Sequence, residues 1–315
     1  MKTTLLSILI PVYNESECIE LLYERLCKVS EKLPVSVEFL FVNDGSSDDS
    51  LAIIQNLQRK DARTAYVDLS RNYGKETAMS AGIDYIRGDA LVIIDADLQH
   101  PPELIPLMFE EMEKGYDDVY GCRMNRKNEK RLKKWTAGSY YKTLKLLSNI
   151  PIQENAGDFR LFSKKAIAAL RALKESERNM KGLFAYIGFN KKAVYYEHEP
   201  RVAGKTKWNY VKLLNLAVKG LTSFSTIPLL IISITGLFVS FCSFIYLVFI
   251  VVKALLYGDP VGGYPSIMSV LLFLGGAILL ALGIMGAYLG IIYSETKKRP
   301  VYFVNEYKSV AKFET

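Results

Sequence analysis

The chain is poor in the residues that usually announce metal or nucleophile chemistry. Its 315 residues include four cysteines, Cys18, Cys27, Cys122 and Cys242, and two histidines, His100 and His198. No cysteines form a C-x-x-C pair, and the histidines lie far apart without cysteine neighbours. That spacing argues against a zinc site and against a histidine-based triad. The cysteines read as reduced thiols used as small apolar residues. No G-x-G-x-x-G follows the first apolar run and no G-x-x-x-x-G-K-[ST] occurs, so neither a dinucleotide fingerprint nor a P-loop is present. Residues 1–4 run straight into an apolar segment with no small-residue cleavage site, so no signal peptide is expected.

What is present is unevenly distributed. Half of the residues are hydrophobic, but the first two thirds read as an α/β protein and the last third holds two long apolar stretches. The net charge of +7 suits an anionic partner: a membrane surface, nucleic acid or a phosphorylated substrate.

The first part alternates strand and helix signals. Residues 5–13 form a continuous apolar run, as in a buried parallel strand. Ile19, Leu22, Leu26 and Val29 then recur at helical spacing. A second strand over 37–42 ends in Asn43-Asp44-Gly45-Ser-Ser-Asp48, a turn with carboxylates, a glycine and a helix N-cap. A helix to about residue 59, a strand over 64–68 and a polar glycine-containing loop over 69–75 follow. Another helix precedes a strand over 90–94, then come a helix over 102–114 and a strand over 118–122. Further on, a short strand-like segment carries Asp158 and Arg160, a helix spans 164–173 and a strand spans 193–197. This alternation predicts a doubly wound, mostly parallel sheet.

The strand over 90–94 runs into Asp95-Ala-Asp97-Leu-Gln99-His-Pro-Pro. In open parallel sheets, ligands sit at the carboxyl ends of strands. Alternate strand residues share a face, so the two carboxylates can converge on one object. Two close carboxylates repel unless a positive charge lies between them. A hard divalent cation shared with a diphosphate satisfies that condition. A helix N-cap beside a solvated Asp is the plainer alternative.

Residues 123–145 are basic, with Trp135, Tyr140 and Tyr141 interleaved, and residues 199–208 form a cationic loop able to close on a phosphate. Residues 208–224 alternate apolar positions with Lys212 and Lys219, as in an interfacial amphipathic helix. Residues 227–252 and 266–293 carry no charge, and each exceeds the roughly 20 residues that cross a bilayer. Two membrane spans are expected, and with them lipid phosphate becomes the favoured reading of the basic stretch, over a solvated helix face and over nucleic acid. Gly275, Gly276, Gly283, Gly286 and Gly290 permit close helix contact within one chain or in a homo-oligomer. Lysines before the first span and Lys297, Lys298 and Arg299 after the second put both termini in the cytoplasm. The expected layout is an α/β domain over 1–207, an amphipathic helix over 208–226, two spans within 227–293 and a cytosolic tail over 294–315.

Taken together, P-V-Y-N-E at 11–15, N-D-G-S-S-D at 43–48 and D-A-D-L-Q at 95–99 resemble family 2 glycosyltransferases of the GT-A fold. S-R-N-Y-G-K-E at 70–76, G-D-F-R-L at 157–161 and R-x-x-G-K-T-K-W-N at 201–209 narrow the resemblance to polyprenyl-phosphate glycosyltransferases, bactoprenol glucosyltransferases above all. The resemblance implies transfer of a hexose, glucose by default, from a UDP-sugar to polyprenyl phosphate at the bacterial plasma membrane. It implies that Pro11, Tyr13, Glu15, Asp44 and Lys75 border the nucleotide sugar. Asp95, Asp97 and Gln99 would hold Mg2+ or Mn2+ on the diphosphate. Arg123 would bind phosphate, with Lys134 as the second acceptor cation. Arg201 and Lys207 would close over donor and acceptor phosphates. Asp158 stands where mannose synthases carry a neutral residue, which favours the glucosyltransferase branch, and it is the candidate general base or an orienting group for the sugar or Arg160. A GDP-mannose-dependent enzyme and a non-catalytic membrane adaptor are the alternatives. A processive polysaccharide synthase fits poorly, because the chain lacks Q-x-x-R-W.

Overall fold

The computed structural model describes residues 4–124, 156–173, 175, 179–196 and 263–310, with scattered positions between 234 and 256. In chain order the elements begin with β1 (Leu5–Val12), α1 (Ile19–Ser30), β2 (Ser36–Asn43), α2 (Ser50–Lys60), β3 (Thr64–Leu69), α3 (Lys75–Tyr85) and β4 (Ala90–Ile93). A 3₁₀ turn (Pro102–Leu104) leads into α4 (Ile105–Glu113), then β5 (Asp118–Arg123), β6 (Ala156–Ser163), α5 (Lys164–Ala172), α6 (Met180–Tyr186) and β7 (Lys191–Tyr196). The long helix α7 (Tyr264–Thr296) and β8 (Val304–Lys308) complete the described chain.

One eight-stranded sheet has the order β7-β5-β6-β4-β1-β2-β3-β8. The strands from β4 through β1 and β2 to β3 are parallel to one another, and β5 is parallel to β7. β6 runs antiparallel between β4 and β5, and β8 runs antiparallel along β3. The apolar runs read from the sequence are therefore the central, doubly covered strands: every residue of β1 after Leu5 is buried.

Even-numbered residues of β1, among them Leu6, Ile8 and Ile10, join Phe39 and Phe41 of β2 in one core. The same core takes Leu22 and Leu26 of α1, Ile54 and Leu57 of α2 and Met108 and Phe109 of α4. On the other face α3 lies against β1, so close that a Cβ at Gly82 would stand 2.1 Å from a Leu9 methyl. Only a residue without a side chain fits there.

Two expectations change. The strand over 90–94 stops at Ile93, so Asp95 and Asp97 lie in the turn beyond it and strand alternation does not aim them. Within the segment expected as a tail over 294–315, residues 304–308 add an edge strand to the sheet, and residues 299–315 group with 1–214 as one compact unit. The sheet edge at β3 recruits the strand because its unpaired amides and carbonyls need partners.

Unit two, residues 215–298, contains α7. Within it, Phe273–Thr296 has mean hydropathy 2.1 and no buried side chains, the one helix long and apolar enough to cross a membrane among the described residues. The first expected span falls largely outside them, and the amphipathic helix over 208–226, the basic positions 126–145, Lys134, Arg201 and Lys207 lie wholly outside.

Candidate active site

From β1 the chain winds outward through β2 and β3, then returns to place β4 on the opposite side of β1. Open α/β sheets bind ligands in the crevice at such a reversal, beyond the carboxyl ends of the strands. The ladder joining β1 to β4 ends at Leu9 and Ile93, with Ile94 N–H donating to the Leu9 carbonyl at 3.0 Å. Alternation along β1 turns Pro11 toward β4 as well. Proline has no N–H to offer a ladder, and Pro11 falls where β4 has already left it. The crevice opens at that point, with Tyr13 exposed at its β1 lip.

Both lips hold strained backbone. Asn14 (φ 54°) and Leu98 (φ 59°) are two of three non-glycine residues with positive φ among the described residues. Asn14 is held by Ser46 and Ser47: its N–H donates to Ser46 Oγ at 3.0 Å, and its Oδ1 accepts from Ser47 N–H at 2.8 Å. Glu15 N–H donates to Ser50 Oγ at 3.0 Å. Leu98 is pinned by a fully buried side chain, and Asp97 Oδ1 accepts from Gln99 N–H across the same turn at 3.2 Å.

The centre of the site is a lysine between two carboxylates. Lys75, first residue of α3, places Nζ 2.6 Å from Asp95 Oδ1 and 2.6 Å from Asp158 Oδ2. Three separate elements thus meet: the turn after β4, the start of α3 and strand β6. Burial works against the lysine charge, but Asp95 and Asp158 outweigh it and hold the ammonium above the usual lysine range. Burial likewise raises Asp95, yet Lys75 and His100 pull its carboxyl well below the usual carboxylate range. The second oxygen of Asp158, Oδ1, is buried without a hydrogen-bond partner. Glu76 follows Lys75, and burial together with the Asp158 charge pushes its carboxyl up to about 7. Glu76 Oε2 also accepts from Met180 N–H at 2.7 Å, at the start of α6.

Two loops flank this centre. Asp44 is buried, and its two oxygens accept from Tyr73 N–H at 2.7 Å and Gly74 N–H at 2.9 Å. Its side chain thereby ties loop 70–74 to turn 43–48. Burial pushes the Asp44 carboxyl up against the two amides that pull it down. Gly45 (φ 65°) sits where the loops touch: a Cβ there would lie 2.5 Å from the Arg71 carbonyl carbon. Gly74, the residue before α3, has φ 93° and ψ 153°, a conformation that belongs to glycine.

His100, whose spacing argues against a zinc site or a histidine triad, nonetheless stands beside the Lys75–Asp95 centre. It is buried, stacks on Phe159 and shares a 2.6 Å hydrogen bond between Nδ1 and Tyr196 Oη. Its Nε2 stands 3.7 Å from Asp95 Oδ2. Burial pushes the Tyr196 hydroxyl up, and Arg123, in register with it at the end of β5, pulls it back down. Only His100 and Glu76 carried a signal: His100 directly follows D-A-D-L-Q, and Glu76 closes S-R-N-Y-G-K-E. Tyr196 and Phe159 are brought in by sheet pairing alone. Arg160 does not pair with Asp158; its Nη1 lies 2.7 Å from Asp118 Oδ2, both side chains buried. That leaves Lys75 as the partner of Asp158.

The donor set suits a hard divalent cation. It offers the ionised Asp95, the neighbouring Asp97 and the unpartnered Asp158 oxygen. No ready-made cage of three acidic, histidine or cysteine residues exists among the described residues. Magnesium needs none, because it is typically held by one or two carboxylates with phosphate and water.

Comparison with known proteins then fixes the lineage. The family described as glycosyl transferase family 2 matches residues 7–171, which include Asp44, Lys75, Asp95, Asp97 and Asp158. The chain belongs to that family. Its fold is accordingly GT-A-like, and it is a glycosyltransferase. A glycosyltransferase of Synechocystis is 44% identical over 301 residues, covering 96% of this chain and 95% of that one. The bactoprenol glucosyl transferase of Shigella phage SfX is 42% identical over 303 residues, 96% of this chain and 99% of its own. The putative glycosyltransferase CsbB of Bacillus subtilis is 42% identical over 306 residues, 97% of this chain and 93% of its own.

Proposed function

We propose that this glycosyltransferase moves a hexose, glucose first, from a UDP-sugar to polyprenyl phosphate at the cytoplasmic face of the bacterial plasma membrane, with inversion at the anomeric carbon. The observation that carries the reading is near full-length similarity to a bactoprenol glucosyl transferase, combined with the carboxylate–lysine centre at the switch point. The apolar helix α7 and the uncharged residues 227–252 supply the anchor, and both termini face the cytoplasm. A lipid-borne acceptor stays in the bilayer, so the donor site must stand beside the surface with cations toward it. Arg123, Lys134, Arg201 and Lys207 fill that role in this reading. The catalytic domain ends near residue 207 and the amphipathic helix over 208–226 lies at the interface.

Chemically, the barrier is dominated by charge building on the departing diphosphate. Asp95, Asp97 and Gln99 would hold Mg2+ or Mn2+, whose charge would neutralise the diphosphate. Pro11, Tyr13 and Glu15 border the nucleotide, and Asp44 holds the loops that enclose it. A phosphate monoester has a second pKa of about 6, so the acceptor is mostly dianionic at pH 7 and needs no proton removed. Asp158 then serves by orientation: it steers the Lys75 ammonium, which can turn to a donor phosphate or sugar hydroxyl.

The test is transfer by the purified full-length protein. With polyprenyl phosphate present, label from UDP-glucose is expected in the organic phase. A panel of UDP- and GDP-sugars separates glucose from mannose transfer. Absence of lipid-linked label from every donor, with nucleotide still bound, would favour the adaptor reading and overturn this one.

A further inference from the structure

The chain leaves the sheet after β7, forms α7, and comes back as β8. What it touches on return is the nucleotide cradle. Asn305 Nδ2 donates to Asp68 Oδ2 at 2.9 Å. The other oxygen of Asp68, Oδ1, accepts from Asn43 Nδ2 at 2.7 Å. Asn43 Oδ1 in turn accepts from Ser46 N–H at 3.3 Å, inside turn 43–48. Asn43 and Asp68 are both buried, so solvent cannot freely replace the contact between them, whereas Asn305 reaches Asp68 from the exposed edge strand. Two residues before Asn305, the Phe303 carbonyl accepts from Ser70 N–H at 3.0 Å, at the root of loop 70–74. The return segment therefore holds both loops that Asp44 and Gly45 bring together.

We propose that the C-terminal strand is a working part of the nucleotide site, with Asn305 a positioning residue that sets turn 43–48 through Asp68 and Asn43. The physical argument is amide polarity. An asparagine amide has a donor end and an acceptor end. While Asp68 accepts an Nδ2 hydrogen of Asn43, the Oδ1 end must face Ser46. Asp68 keeps that orientation only if its second oxygen is also occupied, and Asn305 occupies it. Register supports a local adjustment at this point: β3 and β8 slip by one residue between Asp68 and Leu69. Nucleotide affinity is thereby coupled to the segment that follows α7, far away in sequence.

This inference rests on the donor reading above, and UDP is the probe. UDP affinity of the full-length protein is measured by calorimetry, alongside thermal stability and steady-state kinetics with UDP-glucose. Asn305→Asp sets two carboxylates against each other and should weaken UDP binding and raise KM by about five- to tenfold, with kcat little changed. Asn305→Ala, at an exposed edge position, should fold normally and lose about threefold. The exchange Asp68→Asn with Asn305→Asp restores every donor–acceptor pair, because the new amide at position 68 would accept from Asn43 and donate to the new carboxylate at position 305. Its UDP affinity should return to within about twofold of the parent. Unchanged UDP affinity in both single variants, or an exchange variant no better than Asn305→Asp, overturns the proposal while leaving the donor reading intact. A parent protein that binds neither UDP nor GDP overturns both.

Discussion

Lys75→Met is the sharpest perturbation the structure offers. The substitution keeps an unbranched apolar stem and removes the ammonium that sits 2.6 Å from both Asp95 and Asp158. Deleting one partner of a fully buried ion pair typically costs about 3–5 kcal/mol. Here the lysine side chain is 42% exposed, Asp95 21% and Asp158 11%, so water screens part of the repulsion left behind. A loss of about 2 kcal/mol follows, or roughly 4–8 °C in Tm for a unit of this size. The ammonium and a divalent cation also compete for the same oxygens. Without nucleotide, the variant should bind Mn2+ more tightly than the parent, and Mn2+ should raise its Tm more. Metal-free Tm and Mn2+ titration of the nucleotide-free, full-length protein read both effects without any turnover. An unchanged Tm, or Mn2+ affinity equal to or weaker than the parent's, would refute the reasoning.

Glu76 gives a pH signature. Its carboxyl is raised to about 7, so the folded state holds a proton that the unfolded chain has lost above about 4.5; its contribution therefore falls as pH rises from about 4.5 toward 7 and is flat above. Glu76→Gln keeps an oxygen for Met180 N–H and should flatten that part of the stability–pH curve in denaturant titrations; an unaltered slope would count against it. Arg160→Met leaves Asp118 buried with Lys191 at 3.7 Å as its remaining cation, and should cost about 3 kcal/mol in chemical denaturation. Adding Asp118→Leu should recover most of that loss, whereas a double variant as unstable as Arg160→Met would contradict the pairing. Asp158→Asn should abolish glycosyl transfer and retain UDP binding by calorimetry; normal turnover would exclude Asp158 from the chemistry.

Much of this architecture could be read from residue order. The apolar run at 5–13 and the strand segments at 37–42 and 64–68, each closed by polar turn residues, specify buried parallel strands, because a strand covered on both faces need not alternate apolar with polar residues. The helix over 19–30 is legible from Ile19, Leu22, Leu26 and Val29, all of which are buried. The D-A-D-L-Q motif pointed to the candidate site because open parallel sheets bind ligands at the carboxyl ends of their strands. The aiming of those carboxylates was not legible. Strand alternation was the natural guess, but β4 ends two residues too soon, and a turn with Leu98 at positive φ does the aiming instead. β8 was invisible for a related reason: Val304–Lys308 is short and half polar, and only an open edge on β3 makes it a strand.

Local order along the chain settles which residues are strands and helices and which loops carry charge, because backbone preference and burial period act over a few neighbours. It settled the α/β class, the apolar C-terminal third and the motifs of family 2. Partnership is different in kind. That Lys75 answers Asp95 and Asp158, that His100 leans on Tyr196, and that Asn305 reaches Asp68 depend on which strands become neighbours. A hydrogen bond or ion pair acts over a few ångströms, while the residues that form it stand tens or hundreds of positions apart; only the folded sheet brings that distance down.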